Sequence, residues 1–122
     1  MSLSILAIDD SRTMRDLLRS ALEEVGFNVT TAENGADGIG KLESATPDVI
    51  ITDINMPVMD GFGVIEAVRK SDGAASVPIL VLSTESGSEL KDRARGLGAT
   101  GWIVKPFDDQ RLISAIRRVA RV

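Results

Sequence analysis

The chain has 122 residues, 43% hydrophobic and 26% charged, which suits a single ordinary globular domain and excludes a disordered segment. Its 14 lysines and arginines against 18 acidic residues give a net charge of −4, and three phenylalanines with one tryptophan offer too few rings to stack a nucleic-acid strand, so nucleic acid is not an expected partner. With neither cysteine nor histidine, disulfides, thiolate chemistry, Ser-His-Asp catalysis and a phosphohistidine on this chain are all excluded.

The first apolar run, Leu3–Ile8, is too short and too uncharged at its front for a secretory signal. No stretch approaches the roughly 20 apolar residues that span a bilayer. A cytoplasmic protein without a membrane partner is the expectation. Four more short runs follow at Asn28–Ala32, Val49–Thr52, Ile79–Leu82 and Trp102–Val104, and their length and Ile/Val content predict strands buried on both faces.

Helical spacing fills the intervals. After Ser11, a capping residue, Met14, Leu17, Leu18, Ala21, Leu22 and Val25 repeat at i, i+3, i+4 and i+7 and predict one buried face, closed by Gly26 as a left-handed cap. The second helix, behind Asn34, is weaker, because Gly35, Gly38 and Gly40 each cost up to about 1 kcal/mol relative to alanine in a helix interior. The last opens after Asp108 and carries Leu112, Ile113, Ile116, Val119 and Ala120 on one side. Arg117, Arg118 and Arg121 stand in its final turns, where cations suit the helix dipole. Strand and helix thus alternate five times with short connections. That order requires a parallel sheet with helices on both faces, an α/β doubly wound (βα)5 domain. The expectation is a single domain over residues 1–122, with no linker or output domain.

The polar residues fall at the carboxyl ends of the strands: Asp9-Asp10, Asp53, Ser83-Thr84 and Lys105-Pro106. Open parallel sheets bind ligands there, where strand order reverses. A flavodoxin-like order, 2-1-3-4-5, sets the first and third strands side by side and brings Asp9, Asp10 and Asp53 into one pocket. Singly, each residue has a plainer role: Ser11 or Asp10 as a cap, Asp53 as a turn residue before Asn55-Met56-Pro57. Jointly, three carboxylates, a hydroxyl and an ammonium at one edge are harder to ascribe to coincidence. Carboxylates so close repel by several kcal/mol at a dielectric of about 20, and protonation, Lys105 or a cation must offset this. Oxygen-only ligands favour Mg²⁺ or a similar hard ion, which also orients phosphate oxygens. Carboxylates serve as nucleophiles in phosphoryl transfer, and Asp53, at the tip of the central buried strand, is the candidate. Gly61-Phe62-Gly63 only begins a G-x-G-x-x-G pattern, since position 66 is Glu, and there is no Walker A motif.

Asp9-Asp10-Ser11, Asp53-Ile54-Asn55-Met56-Pro57-Val58-Met59-Asp60-Gly61, Ser83 behind an apolar strand, and Lys105-Pro106-Phe107 together resemble, over the full length, the receiver domain of bacterial two-component response regulators. The resemblance implies that Asp53 accepts a phosphoryl group and that Asp9, Asp10, Asp53 and the Asn55 backbone carbonyl hold Mg²⁺. It makes Ser83 the hydroxyl that bonds the phosphoryl group, Lys105 its ionic partner, and the Lys105–Pro106 bond cis. The donor is then the phosphohistidine of a separate kinase. Ser83 and an aromatic of the fifth strand switch the face formed by the fourth helix, fifth strand and fifth helix. Here Trp102 stands where tyrosine or phenylalanine is usual, and Thr84 where a small residue is usual. Asn55 and Glu85 fall at positions that tune dephosphorylation.

Ser11-Arg12-Thr13-Met14-Arg15 and Gly101-Trp102-Ile103-Val104-Lys105-Pro106-Phe107 look most like the chemotaxis regulators of that family. The expectation is therefore a stand-alone regulator that is no turnover enzyme, served by a chemotaxis histidine kinase and acting on a motor-switch or other output protein, with a phosphatase as a further partner. A phosphorelay intermediate or phosphate sink is the near alternative. An aspartyl-phosphate phosphohydrolase is the distant one, because such enzymes place Asp-x-Asp after the first strand, whereas here it is Asp9-Asp10-Ser11.

Overall fold

A computed structural model describes residues 2–120. The elements are β1 (Ser4–Ile8), α1 (Arg12–Glu24), β2 (Asn28–Ala32), α2 (Gly35–Ala45), β3 (Val49–Thr52), α3 (Gly61–Arg69), β4 (Ile79–Ser83), α4 (Ser88–Leu97), β5 (Gly101–Val104) and α5 (Asp109–Ala120). All strand pairs are parallel and the sheet order is β2-β1-β3-β4-β5, the flavodoxin-like order expected. The Ile, Leu and Val side chains of β1, β3 and β4 alternate between two cores. One lies under α2, α3 and α4 around Leu6, Ile8, Ile50 and Val81, the other under α1 and α5 around Ile5, Ile51, Leu80 and Leu82.

Burial on both faces holds only for the three central strands. Asn28 is exposed and Val104 is 41% exposed, because β2 and β5 are edge strands whose outer rims face solvent. The α1 face is likewise narrower than its sequence period implies. Leu18, Ala21 and Leu22 are buried, while Leu17 is 52% and Val25 39% exposed. Leu17 lies about 100° around the helix from Leu18, beyond the sheet-facing stripe, and Val25 is the C-cap.

The caps form as expected. Ser11 Oγ accepts from the Met14 N–H at 3.2 Å, Asn34 Oδ1 from Asp37 at 2.8 Å and Asp108 Oδ1 from Gln110 at 2.9 Å. Gly26 has φ +93°, and the Phe27 N–H closes on the Leu22 carbonyl behind α1. Asp60 caps α3 through the Gly63 N–H at 2.9 Å, which the sequence reading did not anticipate. Arg117 and Arg118 occupy the last turn of α5, and Arg121 lies outside the described residues.

Two glycines of α2 separate packing from propensity. A Cβ on Gly38 would run into the Ile8 side chain, whereas one on Gly40 would meet nothing within 4 Å. Gly38→Ala is therefore expected to cost about 1–3 kcal/mol by overpacking. Gly40→Ala is expected to gain about 0.5–1 kcal/mol of helix propensity. Urea unfolding of both variants checks this, and a destabilised Gly40→Ala would contradict the open environment.

Arg69 fastens the end of the domain where β4 begins. Its Nε and Nη2 donate to the Gly98 carbonyl at 3.0 and 2.7 Å, and its Nη1 to the Ala75 and Val77 carbonyls at 3.0 and 2.6 Å. One guanidinium thereby joins the C-termini of α3 and α4 to the segment entering β4. Burial lowers its pKa, yet an arginine starts so high that it stays charged. At the other end of α4, Gly87 is the N-cap and supplies no side-chain bond.

Candidate functional site

Ile8 and Thr52 pair in register between β1 and β3, so the residues one step beyond them, Asp9 and Asp53, emerge side by side. The Asp53 N–H still donates to the Ile8 carbonyl at 3.0 Å, which extends the ladder into the site. Both carboxyl groups are deeply set, with Asp9 1% and Asp53 9% exposed. Backbone N–H groups aim them: Ser11 donates to Asp9 Oδ1 at 2.9 Å and Ile54 to Asp53 Oδ1 at 2.7 Å. Lys105 enters from the end of β5, and its Nζ donates to Asp9 Oδ2 and Asp53 Oδ2, at 2.8 Å each. Asp10, exposed at the mouth, brings the third carboxylate, and one oxygen from each of the three lies within 4.8 Å of the others.

The backbone around Asp53 is equally constrained. Thr52 Oγ1 donates to the Asp53 carbonyl at 2.8 Å, and the Gly61 N–H donates to the Ile54 carbonyl at 2.9 Å. A Cβ on Gly61 would overlap the Asp53 carbonyl oxygen and reach Ile54 Cα at 2.8 Å, so only glycine lets α3 start this close to the site. The Lys105–Pro106 bond is cis, as expected.

Charge decides what the site can hold. Burial by itself lowers the Lys105 pKa, but the hydrogen bonds and Coulombic attraction of Asp53 and Asp9 outweigh it, and the net shift is upward. The ammonium is thus firmly charged, yet it answers only one of three carboxylates. Two formal negative charges remain among close, hard oxygen donors. That donor set and that deficit fit a divalent oxygen-seeking cation such as Mg²⁺.

Comparison with known proteins agrees with this geometry. The family model for the response regulator receiver domain matches residues 5–117. The chain belongs to that family. The receiver is 41% identical to the Vibrio cholerae chemotaxis protein CheY4, with a TM-score of 0.93 over 98% of this chain and 99% of that one. It is 33% identical over 115 residues to Protein PilG of Pseudomonas aeruginosa, covering 94% of this chain and 85% of PilG. The receiver domain of the Pseudomonas aeruginosa sensor histidine kinase PA1611, described with magnesium coordinated in its active-site cleft, shares the fold at a TM-score of 0.91 and 22% identity, with both chains fully covered at 100%.

The receiver carries the remaining candidates on β4, β5 and the segments that follow β3 and β4. Ser83 is 0% exposed; its carbonyl accepts from the Lys105 N–H at 2.8 Å and its Oγ from the Glu85 N–H at 3.2 Å. Trp102 is half-buried against the core under α4, and its indole N–H donates to the Glu85 carbonyl at 2.9 Å. Tryptophan here is therefore neither fully inward nor free, but bonded to the loop between β4 and α4. The side chains of Asn55, Thr84 and Glu85 are exposed and make no hydrogen bond among the described residues. Sequence reasoning missed a contact of Arg15: its Nη1 donates to the Asp9 carbonyl at 2.7 Å. The signal was present, since Arg15 sits one turn into the helix that follows the acidic pair.

Proposed function

We propose that the receiver is a stand-alone, Mg²⁺-dependent phosphorylation switch of the chemotaxis type, with Asp53 as acceptor. The observation that carries this reading is the Lys105 ammonium held 2.8 Å from both Asp53 and Asp9, with Asp10 leaving room and charge for a cation. An Asp53 carboxylate oxygen attacks the phosphorus of a kinase phosphohistidine. The new P–O bond forms as the P–N bond breaks, and the imidazole leaves with the electron pair and takes a proton. Asp9, Asp10, Asp53 and the Asn55 carbonyl would hold Mg²⁺, which supplies charge neutralisation of the phosphoryl oxygens. Lys105 pairs with the arriving phosphoryl group. Ser83 donates its hydroxyl hydrogen to an anionic phosphoryl oxygen, which can only accept, while its own oxygen accepts from the Glu85 N–H.

The product carries about −1.5 to −2 charge near neutral pH where a single carboxylate stood. Drawing Ser83 towards it pulls on the loop through Glu85, and Glu85 is bonded to Trp102. The pull therefore reaches the α4–β5–α5 face, where an output protein binds. Hydrolysis by water resets the switch, with Asn55 and Glu85 at the rim controlling access. The likeness to the chemotaxis protein CheY4 supports a chemotaxis histidine kinase as donor and a motor-switch protein as target, with a phosphatase as a further partner. We place the protein in the cytoplasm; among the described residues no helix is long and apolar enough to cross a membrane.

Intact mass spectrometry after incubation with acetyl phosphate tests the reading. The expected result is a gain of one phosphoryl group per chain that needs Mg²⁺ and stops there. No gain overturns it, as does sustained turnover of a phosphomonoester without retained phosphate.

A further inference from the structure

A groove on the receiver lies at the end of the sheet away from the acidic site. It has a volume of about 710 Å³ and runs between the C-terminal end of α2 and the segment that follows α3, beside the starts of β3 and β4. Its floor is apolar and half-buried, made chiefly by Ile39, Leu42 and Val77, which pack onto the core beneath. Its charged lining residues are of one sign, beside the neutral Thr46 and Ser71. Glu43 and Asp72 line it, both exposed, and neither makes an ion pair among the described residues. Among the described residues, no lysine or arginine lines it.

Gly40, on the groove wall, supplies an independent observation. Gly35 and Gly38 are accounted for by packing, because a Cβ on either would collide with Met59 or Ile8. Gly40 has no such neighbour within 4 Å. A glycine in a helix interior costs about 1 kcal/mol, and among the described residues no close approach at Gly40 requires one. What its missing side chain does provide is close access to the helix backbone from outside, at the wall of an apolar floor.

We propose that this groove docks a cationic amphipathic segment of a partner protein. Apolar side chains of the segment fill the floor, the segment's backbone passes over Gly40, and its lysines or arginines meet Glu43 and Asp72. Charge selects the occupant: an apolar floor whose charged lining residues are the unpaired carboxylates of Glu43 and Asp72 rejects acidic segments and rewards basic ones. The surface is separate from the α4–β5–α5 face and from the acidic site, so occupancy and phosphorylation can coexist.

The probe is a Leu/Lys amphipathic peptide of about 18 residues, five helical turns, titrated into the ¹⁵N-labelled chain. A scrambled peptide of equal composition but no apolar face serves as control. The expected result is saturable shifts confined to amides of residues 39–47 and 71–77, with the scrambled peptide bound weakly. The double variant Glu43→Lys/Asp72→Lys, and separately Gly40→Gln, should each weaken binding by about tenfold or more. Dispersion of the variants' own amide spectra reads their folding independently. Shifts scattered over the acidic surface, equal binding of the scrambled peptide, or unchanged affinity in both folded variants would overturn the proposal.

Discussion

Asp53→Asn is expected to take up no phosphoryl group from acetyl phosphate, with or without Mg²⁺, while the wild-type chain gains one. The amide matches the carboxylate in shape but lacks an anionic oxygen to attack phosphorus, so the loss should be complete rather than partial. The fold should survive. The amide oxygen can keep either the Ile54 N–H bond or the Lys105 bond, which use different oxygens of Asp53, and one member of a crowded set of carboxylates is neutralised. Stability should fall by about 1–3 kcal/mol, since one donor at the site loses its acceptor and relieved carboxylate repulsion offsets only part of that loss. Equal labelling of a folded Asp53→Asn chain would remove Asp53 from its role.

Lys105→Met is expected to destabilise the chain by about 3 kcal/mol or more when divalent ions are chelated, because it strands two buried carboxylates beside each other. Their side chains are only 2% and 12% exposed, so water is a poor substitute for the ammonium. A bound cation can, and Mg²⁺ should restore more stability to the variant than it adds to the wild type. Urea unfolding with chelator and with excess Mg²⁺ measures both effects. An unchanged midpoint in chelator, or equal Mg²⁺ gains in both proteins, would contradict the ion-pair account. The pH sign follows from the raised Lys105 pKa. Its contribution is fully present below the ordinary lysine value of 10.5 and is lost as pH climbs through the higher folded value. The gap between wild type and Lys105→Met should therefore close in strong alkali.

Strand–helix alternation was legible because apolar runs and helical periods are local signals, and the parallel order followed from them. Asp9, Asp10, Asp53 and Lys105 could be placed together from sequence because each directly follows a strand, and the sheet does the rest. Periodicity alone could not say where the buried stripe of α1 ends, so Leu17 and Val25 were assigned to a core they do not enter. Nor could it separate central from edge strands, which differ in neighbours rather than in apolar character. Arg15, Arg69 and the Trp102 indole each act on a backbone carbonyl of another segment. Such bonds depend on how the finished surfaces meet, and no local pattern announces them. Gly61 is similar: only once the loop folds back onto Asp53 does its lack of a side chain become a requirement.

The grip of Arg69 on Gly98 makes α4 a lever with a fixed heel. A helix of 10 residues is about 15 Å long, and the guanidinium bolts its far end to α3 and β4. Any displacement of this helix is therefore an arc whose sweep grows towards Gly87, the tip beside Glu85 and Trp102. Tugging at that tip tilts the whole rod, whereas an equal force at the heel would be absorbed by the bolt.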